Sequence, residues 1–175
     1  MEGSEVARIA AWLAARGVVY QCNGGWAVDA LVGRQTRPHR DLDVFLDAAA
    51  VADAVAWLEH DGYRVAEDWL PVRVELRADG RAVDLHPMRL EPNGDGVQAL
   101  LDGGSIVHPV ASRTIGRVAG FPLVVADAAR LIALREGYEL RAVDRHDLEV
   151  LRSLEAAPNP TGSLSNRDNG VAWTT

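Results

Sequence analysis

Two aspartates at alternate positions of an apolar segment constrain this chain more than any other feature. Residues 41–46 read Asp-Leu-Asp-Val-Phe-Leu, which is typical of a β-strand. In a strand, residues i and i+2 point to the same face, about 6.5 Å apart along the chain. Asp41 and Asp43 therefore point together, and Leu42 and Val44 point to the opposite face. Because two neighbouring carboxylates repel each other, the pattern indicates a divalent cation between them.

A glycine pair lies one loop upstream of these aspartates. Gly24 and Gly25 stand at the beginning of a predicted helix over residues 26–32, which Gly33 ends. Glycines allow close approach of the backbone, and the N–H groups at a helix N-terminus attract phosphate. An ordinary strand-to-helix turn would explain one glycine more readily than two. The pair therefore favours a phosphate site.

A predicted hairpin supplies further carboxylates. Residues 72–77 alternate between apolar and charged side chains, residues 79–80 form an Asp-Gly turn, and residues 82–86 continue the alternation. Asp84 and His86 share one face of the second strand, and Glu75 lies on the first. Phosphoryl transfer uses such groups, because divalent ions stabilise the attacking and leaving oxygens and a further carboxylate accepts a hydroxyl proton.

An Asp-x-Asp pair by itself is more often a solvated strand face than a metal site. The upstream glycines and the downstream Asp84 reverse that preference. Asp41, Asp43 and Asp84 are therefore predicted to form a site that combines metal binding with a general base.

Composition narrows the partners and the location. The 175 residues carry 25 acidic and 18 Lys or Arg side chains, a net charge of −7, which argues against general binding to nucleic-acid phosphates. Cys22 is the single cysteine, so we expect a buried thiol, no intramolecular disulfide and no cysteine-based zinc site. The N-terminal residues do not resemble a signal peptide and no apolar run has spanning length, so we expect a cytoplasmic protein without membrane contact.

The order of predicted elements is helix, strand, helix, strand, helix, hairpin and then helices, which indicates an α+β fold with mixed strand pairing. We expect one domain over residues 1–154, with a C-terminal helical part over about residues 126–154. Residues 87–104 are predicted to be a long connection with at most one helical turn. The polar residues 155–175 are predicted to be a disordered tail.

Three segments resemble the small antibiotic nucleotidyltransferases, most closely the lincosamide nucleotidyltransferases and more distantly the aminoglycoside 2″-adenylyltransferases. They are residues 23–29 (Asn-Gly-Gly-Trp-Ala-Val-Asp), residues 33–43 (ending in Arg-Asp-Leu-Asp) and residues 83–87 (Val-Asp-Leu-His-Pro). The likeness extends over roughly residues 5–154. It is specific for the superfamily and much less so for the substrate, and it implies a nucleotidyltransferase-like mixed β-sheet flanked by helices.

The resemblance also implies roles for the acidic residues. Asp41 and Asp43 would ligate Mg²⁺. Asp84 would be the third carboxylate, as catalytic base, as metal ligand or as both. Glu75 is the competing candidate for the base.

Other positions follow from the same resemblance. Gly24 and Gly25 would hold the nucleotide phosphates, and His39 and Arg40 would lie near the triphosphate. Asn23 stands where relatives often carry an acidic residue or glycine, so its role is open.

Three further residues are candidate substrate contacts, each with a structural alternative. Glu75 contacts the substrate or metal, or it pairs with Arg73 or Arg77. His86 contacts the substrate, or it is a hydrogen-bonded structural histidine. Trp69 lines the acceptor pocket, or it packs in the core.

The expected activity is magnesium-dependent transfer of a nucleoside monophosphate, first of all AMP from ATP, to a hydroxyl of a small antibiotic-like acceptor, with release of pyrophosphate. A lincosamide is the first acceptor to test and an aminoglycoside the second; a homodimer is left open. One alternative is a regulatory, non-catalytic protein of the antitoxin type that binds a partner protein. Another is an enzyme that nucleotidylates a protein side chain. The three carboxylates argue against decay of an active site.

Overall fold

The computed structural model describes residues 1–136 and 139–156. Its α-helices are α1 (Gly3–Ala15), α2 (Gly24–Val32), α3 (Val51–His60), α4 (Ala128–Ala133) and α5 (Ala142–Ala156). Its strands are β1 (Tyr20–Cys22), β2 (Asp41–Asp47), β3 (Arg64–Trp69), β4 (Arg73–Ala78), β5 (Arg81–Leu90), β6 (Gly96–Ala99), β7 (Ser105–His108), β8 (Arg113–Val118) and β9 (Phe121–Ala126). Short 3₁₀ helices cover Ala48–Ala50 and Val110–Ser112.

The strands of the described residues form one mixed sheet. The order along its main path is β3-β4-β5-β2-β1-β9-β8, and β6 extends from β5 to pair with β7. The β2–β5 and β1–β9 pairs are parallel, whereas the other pairs are antiparallel. The prediction of an α+β fold with a mixed sheet flanked by helices is confirmed, and β2 lies at its centre.

The alternation predicted for β2 decides which of its faces is buried. Leu42, Val44 and Leu46 are at most 1% exposed and belong to the main hydrophobic cluster. Asp41 and Asp43 lie on the other face and are partly exposed. Burial of the aliphatic side chains thus fixes the face to which the carboxylates point.

The prediction of a connection over residues 87–104 is wrong. Strand β5 continues through Pro87 to Leu90, and β6 returns antiparallel to it after a turn. Strand β2 pairs along one edge of β5, and the opposite edge changes its partner at Pro87. There β4 pairs up to Leu85 and β6 pairs from Met88, so proline is tolerated between them. Pro87, which has no backbone N–H, is paired with Leu46 of β2 but with neither β4 nor β6.

The C-terminal part is helical, as predicted, but its first helix is short. Helix α4 begins after Asp127, whose carboxylate accepts a hydrogen bond from the Arg130 N–H. Helix α5 continues through Glu155 and Ala156, two residues that the sequence assigned to the tail. Residues 157–175, the remainder of the predicted tail, lie outside the described residues. None of the described helices has the length and apolar character needed to cross a membrane.

Candidate active site

A row of carboxylates crosses four adjacent strands. Asp43 on β2 is paired with Asp84 on β5, which is paired with Glu75 on β4. Glu67 on β3 continues the row opposite Glu75. The site is therefore built by strand register, because three separate pairings bring four acidic residues onto one line of the sheet.

Arg73 is the main counter-ion within this row. Its Nη1 donates a hydrogen bond to Asp84 Oδ1 at 2.9 Å, and its Nη2 lies 3.4 Å from Glu75 Oε2. The Arg77 guanidinium also pairs with Glu75. The ion-pair alternative for Glu75 is thus confirmed, while its position beside Asp84 keeps it in the site.

The two central carboxylates differ in proton affinity. Burial, together with the nearby charge of Asp43, raises the pKa of Asp84 to about 6, and Arg73 only partly opposes this effect. The hydrogen bond from Arg77 lowers the pKa of Glu75 below its usual range. Asp84 is therefore the better proton acceptor near neutral pH.

The residues around Asp43 fit a divalent cation. One ligand atom from each of Asp43, Asp84 and His86 lies within 4.8 Å of the others. Carboxylate oxygens are the ligands that Mg²⁺ prefers. Asp41 is not part of this group, but it lines the same cleft two residues before Asp43. The structure thus brings together Asp43 and Asp84 as predicted. It adds His86, which lies two residues after Asp84 on β5.

Gly24 is the first residue of α2, and its backbone lies against the Asp43 carboxylate. A Cβ at this position would lie 2.0 Å from Asp43 Oδ2, and its φ is +64°. A Cβ at Gly25 would lie 2.4 Å from Arg37 Nη2 and from His39 Nδ1. Both positions therefore require glycine, and the helix N-terminus lies next to the candidate metal site.

The carboxylates and the glycine pair open into one polar cleft of about 600 Å³. Its basic lining residues come from four parts of the chain: Arg37, Arg40, Arg73, Arg77, Arg135 and Arg141. A cleft that combines acidic metal ligands with several guanidinium groups can hold a polyphosphate together with its cation.

The two residues expected near the triphosphate occupy different environments. The Arg40 side chain is 87% exposed, and its Nη2 lies 3.5 Å from Asp41 Oδ2 at the cleft. The His39 side chain is 2% exposed, pairs with Asp29 and packs on the Trp26 ring. His39 is therefore beneath Gly25 rather than among the residues that line the cleft, and Trp26 is a buried core residue.

Trp69 is 44% exposed, so the core alternative is wrong for this residue. Its ring lies 4.7 Å from the Arg73 guanidinium carbon and covers it. Trp69 and Leu70 line a shallow surface depression with Leu101 on the β6–β7 turn. Trp69 thus contacts Arg73, which in turn pairs with the carboxylates of the row. Its contact with the acceptor stays a prediction.

A second, smaller cavity of about 240 Å³ adjoins Asp43. Its lining residues include Asn23, Phe45 and His86 together with the apolar Leu131 and Leu134. The Phe45 ring stacks on the His86 ring with 4.3 Å between centroids. The alternative of a hydrogen-bonded structural histidine is also met, because Gln98 Nε2 lies 3.2 Å from His86 Nδ1, but the same side chain lines the cavity.

An ion-pair cluster missed at the sequence level joins α5 to the cleft. Arg37 binds both oxygens of Asp147 at 2.8 and 2.9 Å, and Arg135 Nη2 lies 2.9 Å from Asp147 Oδ2. Asp144 accepts a hydrogen bond from the Arg141 N–H and so caps the start of α5. Arg37 and Asp147 are 110 residues apart, and no local pattern signals their pairing.

The sequence of this chain is similar to known proteins. A family model described as aminoglycoside-2″-adenylyltransferase matches residues 5–151. A lincosamide resistance protein from Staphylococcus haemolyticus is 34% identical over 140 residues, which are 78% of this chain and 86% of that protein.

Solved structures share the fold. The lincosamide antibiotic adenylyltransferase LnuA, solved with lincomycin bound, is 30% identical with a TM-score of 0.78, and the match covers 86% of this chain and 96% of LnuA. The ANT(2″)-Ia structure with adenylyl-2″-tobramycin is 20% identical with a TM-score of 0.67, covering 87% of this chain and 92% of that one. The second likeness concerns the fold alone.

Proposed function

The chain belongs to the aminoglycoside-2″-adenylyltransferase family and is an enzyme, and from this premise we propose that it transfers AMP from ATP to a hydroxyl of an antibiotic. The observation that carries the proposal is the direct pairing of Asp43 with Asp84 beside the backbone of Gly24. This arrangement combines an acidic metal site, a proton acceptor and a phosphate-binding helix N-terminus within one cleft.

In the proposed mechanism, Asp43 and Asp84 would hold Mg²⁺, with Asp41 beside them. The bound ion would offset the charge that develops on the phosphoryl oxygens. The N-terminus of α2 at Gly24 and Gly25 binds the phosphates of the nucleotide. The Arg40 guanidinium, at the open side of the cleft, attracts the distal phosphates.

Asp84 orients the acceptor hydroxyl and takes its proton. We assign the proton to Oδ2 because Oδ1 accepts the hydrogen bond from Arg73. The acceptor oxygen then forms a bond to the α-phosphorus. The bond from that phosphorus to the bridging oxygen breaks, and pyrophosphate leaves with the electron pair.

A lincosamide is the acceptor to test first, because the lincosamide resistance protein and the lincosamide adenylyltransferase LnuA are each at least 30% identical to this chain. Aminoglycosides come second, because the family description names them. Acceptor contacts from Trp69, Glu75 and His86 are part of the proposal. ATP as co-substrate is consistent with a cytoplasmic location, and a homodimer stays a prediction.

The test is pyrophosphate release from ATP and MgCl₂ with lincomycin, clindamycin or tobramycin, together with mass spectrometry of the acceptor. We expect one acceptor to gain the mass of AMP with stoichiometric pyrophosphate. Absence of an adduct with every acceptor, in a folded protein that binds ATP and Mn²⁺, would overturn the proposal. A mass gain on a protein partner would favour the protein-modifying alternative.

A further inference from the structure

A chain of hydrogen-bonded side chains runs beneath the candidate site, from Arg113 on β8 to His86 on β5. The Arg113 Nε donates to Gln21 Oε1 at 3.3 Å, and Gln21 Nε2 lies 3.3 Å from His108 Nδ1. Next, His108 Nε2 lies 3.1 Å from Gln98 Oε1, and Gln98 Nε2 lies 3.2 Å from His86 Nδ1. Five strands of the sheet are thus joined by one polar chain of four hydrogen bonds.

Arg113 gives this chain a direction. A guanidinium only donates hydrogen bonds, so the carbonyl oxygen of Gln21 must face it and the Gln21 amide nitrogen must face His108. A neutral imidazole has one donor nitrogen and one acceptor nitrogen, and each amide along the path has a donor nitrogen and an acceptor oxygen. Every later hydrogen bond therefore points the same way, which leaves Nδ1 of His86 as an acceptor and its Nε2 as the protonated nitrogen.

Transmission of this direction requires His108 to be neutral. His108 is 1% exposed. Burial, assisted by the nearby charges of Arg130, His86 and Arg113, lowers its pKa to about 4. The ring therefore carries a single proton at neutral pH, on Nε2, and it passes the direction from Gln21 to Gln98.

We propose that Arg113 is a positioning residue which, through Gln21, His108 and Gln98, holds His86 in the Nε2–H tautomer. His86 Nε2 lies 3.9 Å from Asp43 Oδ1 and borders the 240 Å³ cavity. In this tautomer the nitrogen is a hydrogen-bond donor to a bound substrate oxygen or to Asp43, and it has no lone pair for a metal. A divalent cation at this site would consequently be held by the carboxylates and not by His86.

Gln21 also sets the orientation of a second donor. Its Nε2 donates to Asn23 Oδ1 at 3.1 Å, so the Asn23 amide nitrogen points away from Gln21. Asn23 is 5% exposed and lines the same cavity, and its Nδ2 has no hydrogen-bond partner among the described residues. The cavity thus presents two oriented donors, which suits the hydroxyl, ether or carbonyl oxygens of a substrate.

The first test measures imidazole tautomers by ¹⁵N NMR in the metal-free protein at pH 8, so its result does not depend on the proposed enzymatic activity. We expect His86 and His108 both to carry the proton on Nε2. Gln21→Glu should reverse the chain, because a carboxylate accepts from both neighbours, and both histidines should then carry the proton on Nδ1. Unchanged tautomers in this variant, or Nδ1–H in the wild type, would overturn the proposal.

Arg113 variants provide an independent test, in case a buried carboxylate at position 21 impairs folding. Arg113→Met removes the donor and should introduce the Nδ1–H form of His86, whereas Arg113→Lys should keep the wild-type tautomer. The matched control is Arg117→Met on the same strand, whose exposed side chain donates to the Gly120 carbonyl. A wild-type spectrum for Arg113→Met would refute the assignment.

The consequence for turnover rests on the proposed function and is measured separately. We expect Arg113→Met to lower kcat/KM about 10-fold, the lower end of losses typical for residues that orient ligands indirectly. Arg113→Lys should recover most of the loss, and Arg117→Met should have no effect. Altered tautomers without any measurable turnover in the wild type would refute the adenylyltransferase assignment and leave the role of Arg113 intact.

Discussion

Asp43 and Asp84 occupy directly paired positions on two parallel strands that are not consecutive in the chain. The pairing gives the site both of its central carboxylates. It also has an energetic cost, because two nearby anions repel each other in a partly buried place.

Loss of the Asp43 carboxylate should abolish turnover. We expect Asp43→Asn to lower the rate of pyrophosphate release at least about 100-fold, because a metal ligand next to the developing charge is lost. Binding of Mn²⁺, followed by electron paramagnetic resonance, should weaken in parallel. Asp47→Asn at the far end of β2 is the control, since Asp47 caps the Ala48–Ala50 turn and should leave turnover near wild type. Equal rates for both variants would exclude Asp43 as a ligand.

Asp84 and Glu75 should differ as proton acceptors. We expect Asp84→Asn to reduce kcat by about 10²–10⁴-fold, the range typical of a lost general base. Glu75→Gln should reduce kcat only about 10-fold or less, because Glu75 is held as an ion-pair partner of Arg73 and Arg77. Steady-state kinetics of pyrophosphate release at pH 7.5 distinguishes them. A larger loss for Glu75→Gln would assign the base to Glu75.

The repulsion between Asp43 and Asp84 should be visible in stability. The pKa of Asp84 is raised to about 6 in the folded protein, so ionisation of this carboxyl opposes folding. The free energy of unfolding therefore decreases as pH rises from about 4 through 6. In EDTA at pH 8, we expect Asp84→Asn to be more stable than wild type by about 1–2 kcal/mol after allowance for solvent screening.

Urea unfolding between pH 4 and pH 8 measures this difference. The stability advantage of Asp84→Asn should become small as pH falls to 4, because Asp84 is then neutral in the folded wild type and about half protonated in the unfolded chain. A difference that does not change with pH would contradict the predicted ionisation.

Gly24 should be intolerant of any side chain, for two separable reasons. Gly24→Ala introduces a Cβ at 2.0 Å from Asp43 Oδ2 and places alanine at φ +64°. The matched control is Gly33→Ala at the other end of α2, where φ is +78° and no atom lies within 4 Å of the added Cβ. Thermal unfolding should show a loss of about 1 kcal/mol for Gly33→Ala from the backbone conformation alone. Only Gly24→Ala should also lose activity.

The cluster around Asp147 should hold α5 against the cleft. Asp147→Asn leaves the guanidinium groups of Arg37 and Arg135 without their anion, so we expect a loss of about 2–4 kcal/mol in chemical denaturation. The exposed Glu149→Gln on the same helix should change stability by less than about 0.5 kcal/mol. Comparable effects of the two substitutions would show that the cluster contributes little.

Several features of the site were predictable because they are local. The alternation over residues 41–46 follows from the two-residue period of a strand, and it correctly placed Asp41 and Asp43 on the open face. The Asp79-Gly80 turn predicted the β4–β5 hairpin and with it the neighbourhood of Glu75 and Asp84. The strand through Pro87 was missed, because the tolerance for proline there depends on which strands pair beside it.

Sequence alone thus predicted the helices and strands that carry the site and identified its glycine pair and carboxylates. These features are predictable because they depend on backbone geometry over a few residues. Only the tertiary structure decided the register that pairs Asp43 directly with Asp84, the ion pair of Arg37 with Asp147, and the link between Arg113 and His86. These contacts join segments up to 110 residues apart. Strand register and helix docking between distant segments are set by burial of the whole core, and no local pattern encodes them.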